Sequence, residues 1–79
     1  MSKNDVEKKV AEVFAEVLSA DVAAEREQLV YGVYRGWDSV AHMALVAALE
    51  DKFDCMLEMD DVLDLSSFDK GVAIMGKHG

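Results

Sequence analysis

A chain of 79 residues with no proline, a single cysteine and a formal charge of −8 allows one small domain, spanning 1–79. With 16 acids against 8 bases it lacks the clustered Lys and Arg that nucleic-acid phosphates require, which excludes that class of partner. The lone Cys55 permits no disulfide and suits a reducing cytoplasm; no apolar run reaches the length of a membrane span, and no signal-peptide pattern precedes the first helix.

The absence of proline, with abundant Ala, Val, Leu, Glu and Lys, favours an all-α domain. Val6, Val10, Val13, Phe14, Val17 and Leu18 recur at helical spacing and predict an amphipathic first helix over about Asp5 to Leu18. Asn4 followed by Glu7 has the spacing of a capping box at its start. Ser19 to Trp37 is a long connection, in which Asp21 to Gln28 permits a helical turn or two. A connection of this length needs pins, and Leu29, Tyr31, Tyr34 and Trp37 are the residues for it.

The second helix is expected from Asp38 or Ser39 to about Phe53. Its apolar residues extend beyond one stripe. Leu45, Leu49 and Phe53 form the core side, whereas Val40, Met43 and Ala47 are left to meet a partner, with Glu50 and Asp51 as steering charges. A loop over 54–57 turns Leu57 inward, and a short helix starts at Asp60 or Asp61 and runs through Val62 and Leu65. Ser67 caps a last helix carrying Phe68, Val72, Ile74 and Met75, which Gly71 should weaken and which should fray from Gly76.

Little in the chain points to catalysis, and it reads as no enzyme. A nucleophilic serine needs a base, an orienting acid and an oxyanion hole, and the Gly-x-Ser-x-Gly elbow is missing. His42 lies three residues after Ser39 and is expected to be an exposed helix residue. One cysteine and two distant histidines make no zinc site, and the acids lack the EF-hand pattern. Glu50, Asp51, Asp54, Glu58, Asp60, Asp61 and Asp64 are expected to crowd around the single Lys52 as one acidic face. Such a face suits basic partners and opposes self-association, so a monomer is expected.

The informative stretch is Gly36-Trp37-Asp38-Ser39-Val40. It sets a serine where a glycine-containing loop enters a helix, behind a favoured N-cap acid. A phosphoester on that hydroxyl would be stabilised by roughly 0.3–1 kcal/mol at the positive end of the helix dipole. The motif and the helix behind it, together with Leu45, Leu49, Glu50, Phe53, Leu57, Val62, Leu65, Ser67 and Phe68, resemble the acyl carrier and peptidyl carrier family. Val40 stands where that family usually has leucine, and Ala41 and Ala44 stand where fatty-acid carriers commonly place acids.

The resemblance implies a small four-helix bundle of the acyl carrier type, with three main helices, one short helix and a long first loop. It implies that Ser39 carries 4′-phosphopantetheine, transferred from coenzyme A by a phosphopantetheinyl transferase in which Asp38 helps dock the serine. Acyl groups would then ride as thioesters on the thiol of the arm, exchanged among acyl-loading and acyl-processing enzymes of a specialised fatty-acid or polyketide-like pathway. An aminoacyl or peptidyl carrier is the neighbouring reading. An acidic helical interaction module without a prosthetic group is the reading from another class.

Overall fold

Helix α1 is built on the apolar spacing of its sequence: Val6, Val10, Val13 and Phe14 are buried, while Val17 and Leu18 are half-buried beside them. The computed structural model describes residues 3–78. In it α1 (Lys3–Leu18) is followed by the short α2 (Val22–Glu25), a 3₁₀ turn at Arg26–Gln28, α3 (Ser39–Phe53), the short α4 (Met59–Asp64) and α5 (Phe68–His78). No strand occurs among the described residues, so the chain is all-α, with three long helices and two short ones. The expected single short helix is therefore joined by α2, inside the span where a turn or two was foreseen. Asn4 already lies within α1, and its side chain, the expected cap, falls outside the described residues.

α1 packs chiefly on α3 and α5. At the centre, the ring of Phe14 meets Trp37 edge-on at 5.2 Å and Phe68 edge-on at 5.3 Å, an arrangement that aromatic quadrupoles favour. Leu45, Val46 and Leu49 bring α3 into the same core, and Phe53 is half-buried under Lys9, whose ammonium lies 5.6 Å from the ring centre. From α5 come Phe68, Val72, Ile74 and Met75.

Two glycine and cap features decide how the helices end and meet. Gly71 is buried, and a Cβ there would stand 3.2 Å from Leu65 Cδ1 and 3.5 Å from both Phe14 and Val10. Gly71 is therefore where α5 approaches the core closely, and α5 is helical through His78, beyond Gly76. α3 stops at Asp54, which adopts the left-handed conformation (φ 51, ψ 52). Cys55 N–H then donates to Glu50 O at 3.0 Å and Asp54 N–H to Asp51 O at 3.4 Å, the two bonds of a Schellman stop.

The connection from Ser19 to Trp37 is pinned throughout. Asp21 caps α2 by accepting from Ala24 N–H at 3.3 Å, and the Tyr34 hydroxyl donates to Glu25 at 3.0 Å. Arg26 is paired with Glu7 and Asp69 and lies over the ring of Phe68, so one side chain joins the connection to α1 and α5. Leu29 is fully buried. Tyr31 N–H donates to Ser66 O at 2.8 Å and Phe68 N–H to Leu29 O at 3.0 Å, around an isolated antiparallel bridge between Val30 and Ser67. Ser67 also caps α5, its hydroxyl accepting from Lys70 N–H at 3.1 Å. α4 begins one residue before the expected Asp60 and ends before Leu65, which is buried just beyond it.

Candidate functional site

Ser39 is the first residue of α3 and is exposed. Its position follows from the residues on either side. Gly36 takes a positive φ of 89°, which turns the chain, and Trp37 is then sunk into the core with 2% of its surface exposed. Asp38 caps the helix: its carboxylate accepts from Ala41 N–H at 2.9 Å, and its carbonyl accepts the first helical bond from His42 N–H at 2.8 Å. Buried anchor, cap and serine are consecutive, so the hydroxyl is presented from a fixed backbone at the N-terminal end of a helix.

His42 differs from expectation. It is half-buried, and both ring nitrogens are engaged. The Trp37 indole N–H donates to His42 Nδ1 at 3.1 Å; because an indole can only donate, Nδ1 must be the acceptor. The proton therefore sits on Nε2, which donates to the carbonyl of Val62 at 2.9 Å. That carbonyl belongs to the last turn of α4, where helix carbonyls lack an internal partner. The imidazole also lies nearly parallel to the indole of Trp37 and edge-on to Tyr31 at 4.9 Å. His42 is drawn inward because it satisfies a buried indole and a helix end at once. With both nitrogens used, neither is left to act as a base at Ser39.

An apolar groove of about 370 Å³ runs between α3 and α4 beside the serine. Ser39, His42 and Met43 line it from α3, and Met59, Val62 and Leu63 from α4, with Tyr31 reaching in from the connection. A shallower recess of about 360 Å³, lined by Gly32, Gly36, Trp37 and Asp38, meets Ser39 from the loop side. Around the groove, large apolar side chains face solvent: Val40 is 80% exposed, Met43 57%, Met59 71% and Leu63 73%. Together they give α3 and α4 an apolar surface facing solvent beside the serine.

Of the residues proposed for partner contact, Val40, Met43, Ala47 and Asp51 are exposed on α3. Glu50 is different: it is half-buried, and its carboxylate accepts from Leu57 N–H at 2.9 Å, fastening the segment after α3. None of the seven acids expected around Lys52 forms an ion pair with it among the described residues, although the charge of Asp51 acts on it. Lys52 reaches instead to Glu12 on α1 at 2.7 Å, and Asp61 is buried with Lys77 at 3.4 Å among its partners. Lys52 on α3 and Asp61 on α4 are carried to different neighbours by their separate helices. No group of three or more His, Cys, Asp or Glu among the described residues is placed to hold a metal ion. Burial, aided by Glu50, Asp54 and Asp61, pushes the Cys55 thiol above its ordinary pKa, which makes it a poor nucleophile.

Met59, Leu63 and the bonds of His42 are the parts of this site that sequence reasoning missed. α4 is too short for a periodic signal, and the Trp37–His42 bond depends on the sharp turn at the start of α3. Among the described residues, no helix is long and apolar enough to cross a membrane. Compared with known proteins, the chain matches no family model, no curated protein and no solved structure.

Proposed function

We propose that Ser39 is the attachment point of 4′-phosphopantetheine and that the chain is a discrete acyl carrier, its helices forming a small bundle of the acyl carrier type. The observation that carries this reading is an exposed serine on the first turn of α3, directly behind its Asp38 cap and opening onto an apolar groove. The residues present fit the group: the hydroxyl is accessible to a transferase, and a phosphodiester there lies at the positive end of the α3 dipole. The only acid at this end of α3 among the described residues of the helix is its cap, Asp38, whose carboxylate is turned onto Ala41 N–H. When bound, the group supplies a terminal thiol on which an acyl chain is held.

This chain's own residues then present and recognise. Trp37 and Asp38 fix the direction of the Ser39 backbone. Met43, Met59, Val62 and Leu63 offer an apolar surface within reach of anything tethered to the serine, which favours an acyl cargo over an aminoacyl one. Val40, Met43 and Ala47 give partner enzymes an adaptable apolar contact, and Asp51 adds charge for steering. A transferase brings the base that removes the Ser39 proton, since both His42 nitrogens are committed elsewhere.

The test is intact-mass measurement after incubation with coenzyme A and a broad-specificity phosphopantetheinyl transferase. One phosphopantetheine per chain is expected on the parent and none on Ser39→Ala, whose melting temperature should match the parent because the hydroxyl is exposed. An unmodified parent, or a modified Ser39→Ala, overturns the assignment.

A further inference from the structure

His42 belongs both to the groove and to the support of the serine loop, and it is the groove residue that hydrogen-bonds the Trp37 indole. It lines the groove, its Nε2–H holds the last turn of α4 through Val62 O, and its Nδ1 receives the N–H of Trp37, two residues before Ser39. α4 is also the most lightly attached helix, six residues long and with sparse contacts to the other helices. A short element held by few contacts is the one that moves at least cost.

We infer that His42 is a positioning residue that couples occupancy of the α3–α4 groove to the loop presenting Ser39. An apolar chain entering between Met43 and Met59 spreads α4 from α3 and separates Val62 O from Nε2–H. The imidazole then has no bond fixing its tautomer or its ring angle, and it turns away from the indole. Trp37 loses its acceptor, and the Trp37-Asp38-Ser39 junction relaxes. Coupling of this form requires an element with two arrangements that both sites bias, and α4 is that element. On the carrier reading, partners meeting the serine would sense whether the groove is filled; the coupling itself is a property of the unmodified chain.

Trp37 is the only tryptophan, so emission reports the surroundings of this one indole, and comparison with His42→Phe isolates the part that passes through His42. The probe is octan-1-ol titrated into the unmodified protein, with groove occupancy followed separately through the methyl signals of Met43 and Met59. The parent should show a Trp37 emission shift that tracks those methyl signals. His42→Phe keeps the ring and removes both bonds, so octan-1-ol should still perturb the methyls while the emission shift is lost. His42→Gln offers one carbonyl acceptor and one amide donor, and should restore the shift. An undiminished shift in His42→Phe overturns the inference. So does a parent whose emission stays constant while the methyls respond, or whose methyls never respond up to the solubility of the alcohol. Should His42→Phe fail to fold, the imidazole ¹⁵N signals of the parent decide. They should begin as a single Nε2–H tautomer and lose that bias as octan-1-ol binds; an unchanged tautomer at full occupancy overturns the coupling. All of these outcomes are independent of whether Ser39 accepts phosphopantetheine.

Discussion

Replacing Asp54 by glycine should stabilise the fold, and the size of the gain follows from the end of α3. Asp54 holds φ 51 and ψ 52, a conformation that costs an ordinary L-residue about 1–2 kcal/mol and aspartate somewhat less. Its carboxylate also stands at the negative end of the α3 dipole, a placement unfavourable by about 0.3–1 kcal/mol at low ionic strength. Glycine removes both terms and adds an unfolded-state entropy cost of about 0.5–1 kcal/mol. The balance is a gain of roughly 1 kcal/mol, or about 4–8 °C in melting temperature for a domain of this size. Thermal melts of the parent, Asp54→Gly, Asp54→Asn and Asp54→Ala at low salt and at about 1 M salt, where screening reaches about 3 Å, separate the terms. Asp54→Asn should keep only the charge gain and lose it in salt, Asp54→Gly should remain ahead in salt, and Asp54→Ala should gain little because the left-handed strain persists. If Asp54→Gly is no more stable than Asp54→Asn in high salt, the left-handed stop is not a source of strain.

Glu50 and Asp51 separate two effects that sequence reading combined. Asp51→Lys should slow loading by partner enzymes at low salt and leave the unfolding free energy within about 0.5 kcal/mol of the parent, as expected of an exposed site. Glu50→Lys should in addition destabilise by about 1 kcal/mol, because Leu57 N–H loses its acceptor; equal melts for the two variants would show that bond to be immaterial. The Glu12–Lys52 pair gives a pH dependence whose sign is fixed. The hydrogen bond and charge of Lys52 lower the Glu12 pKa, so that contribution is present above the unfolded carboxylate's pKa and is lost as pH falls through the folded one. Lys52 is raised by the same partner, and its contribution is lost as pH rises through the folded ammonium's pKa. Glu12→Gln should therefore lower stability at neutral pH and flatten the acid limb of a melting-temperature profile, while an unchanged acid limb would assign it to other carboxylates.

The long helices were legible because their information is local. The spacing of Val6, Val10, Val13 and Phe14, and of Leu45 and Leu49, states which face is buried without reference to the rest of the chain. The Ser39 junction was legible for the same reason, since glycine, cap and helix start follow one another. What escaped depends on long-range meetings. Gly71 reads as a flaw in a helix until Leu65, Phe14 and Val10 are seen against it. Lys52 sits among acids in sequence and bonds to Glu12, 40 residues away. His42, polar in an apolar run, resembles a solvent-facing residue until the turn at Gly36 brings Trp37 over it and α4 supplies a carbonyl.

The bridge between Val30 and Ser67 ties the first connection to residues that follow it by nearly half the length of the chain. Tyr31 N–H and Leu29 O find their partners at Ser66 and Phe68, so beyond its own turn bonds the segment leading to the serine has no distant backbone to join until the start of α5 is in place. During synthesis, α1 and α3 can pair while that segment is still unbound, because both precede Ser66 in the chain. The connection that leads to the serine is thus anchored at both ends, by the start of the last helix at Leu29 and Tyr31 and by α3 at Trp37 and Asp38. A chain halted before Ser66 carries the motif in full and keeps the turn bonds of its loop, but Tyr31 N–H and Leu29 O lose their partners, so the C-terminal residues set how firmly the segment before Ser39 is anchored.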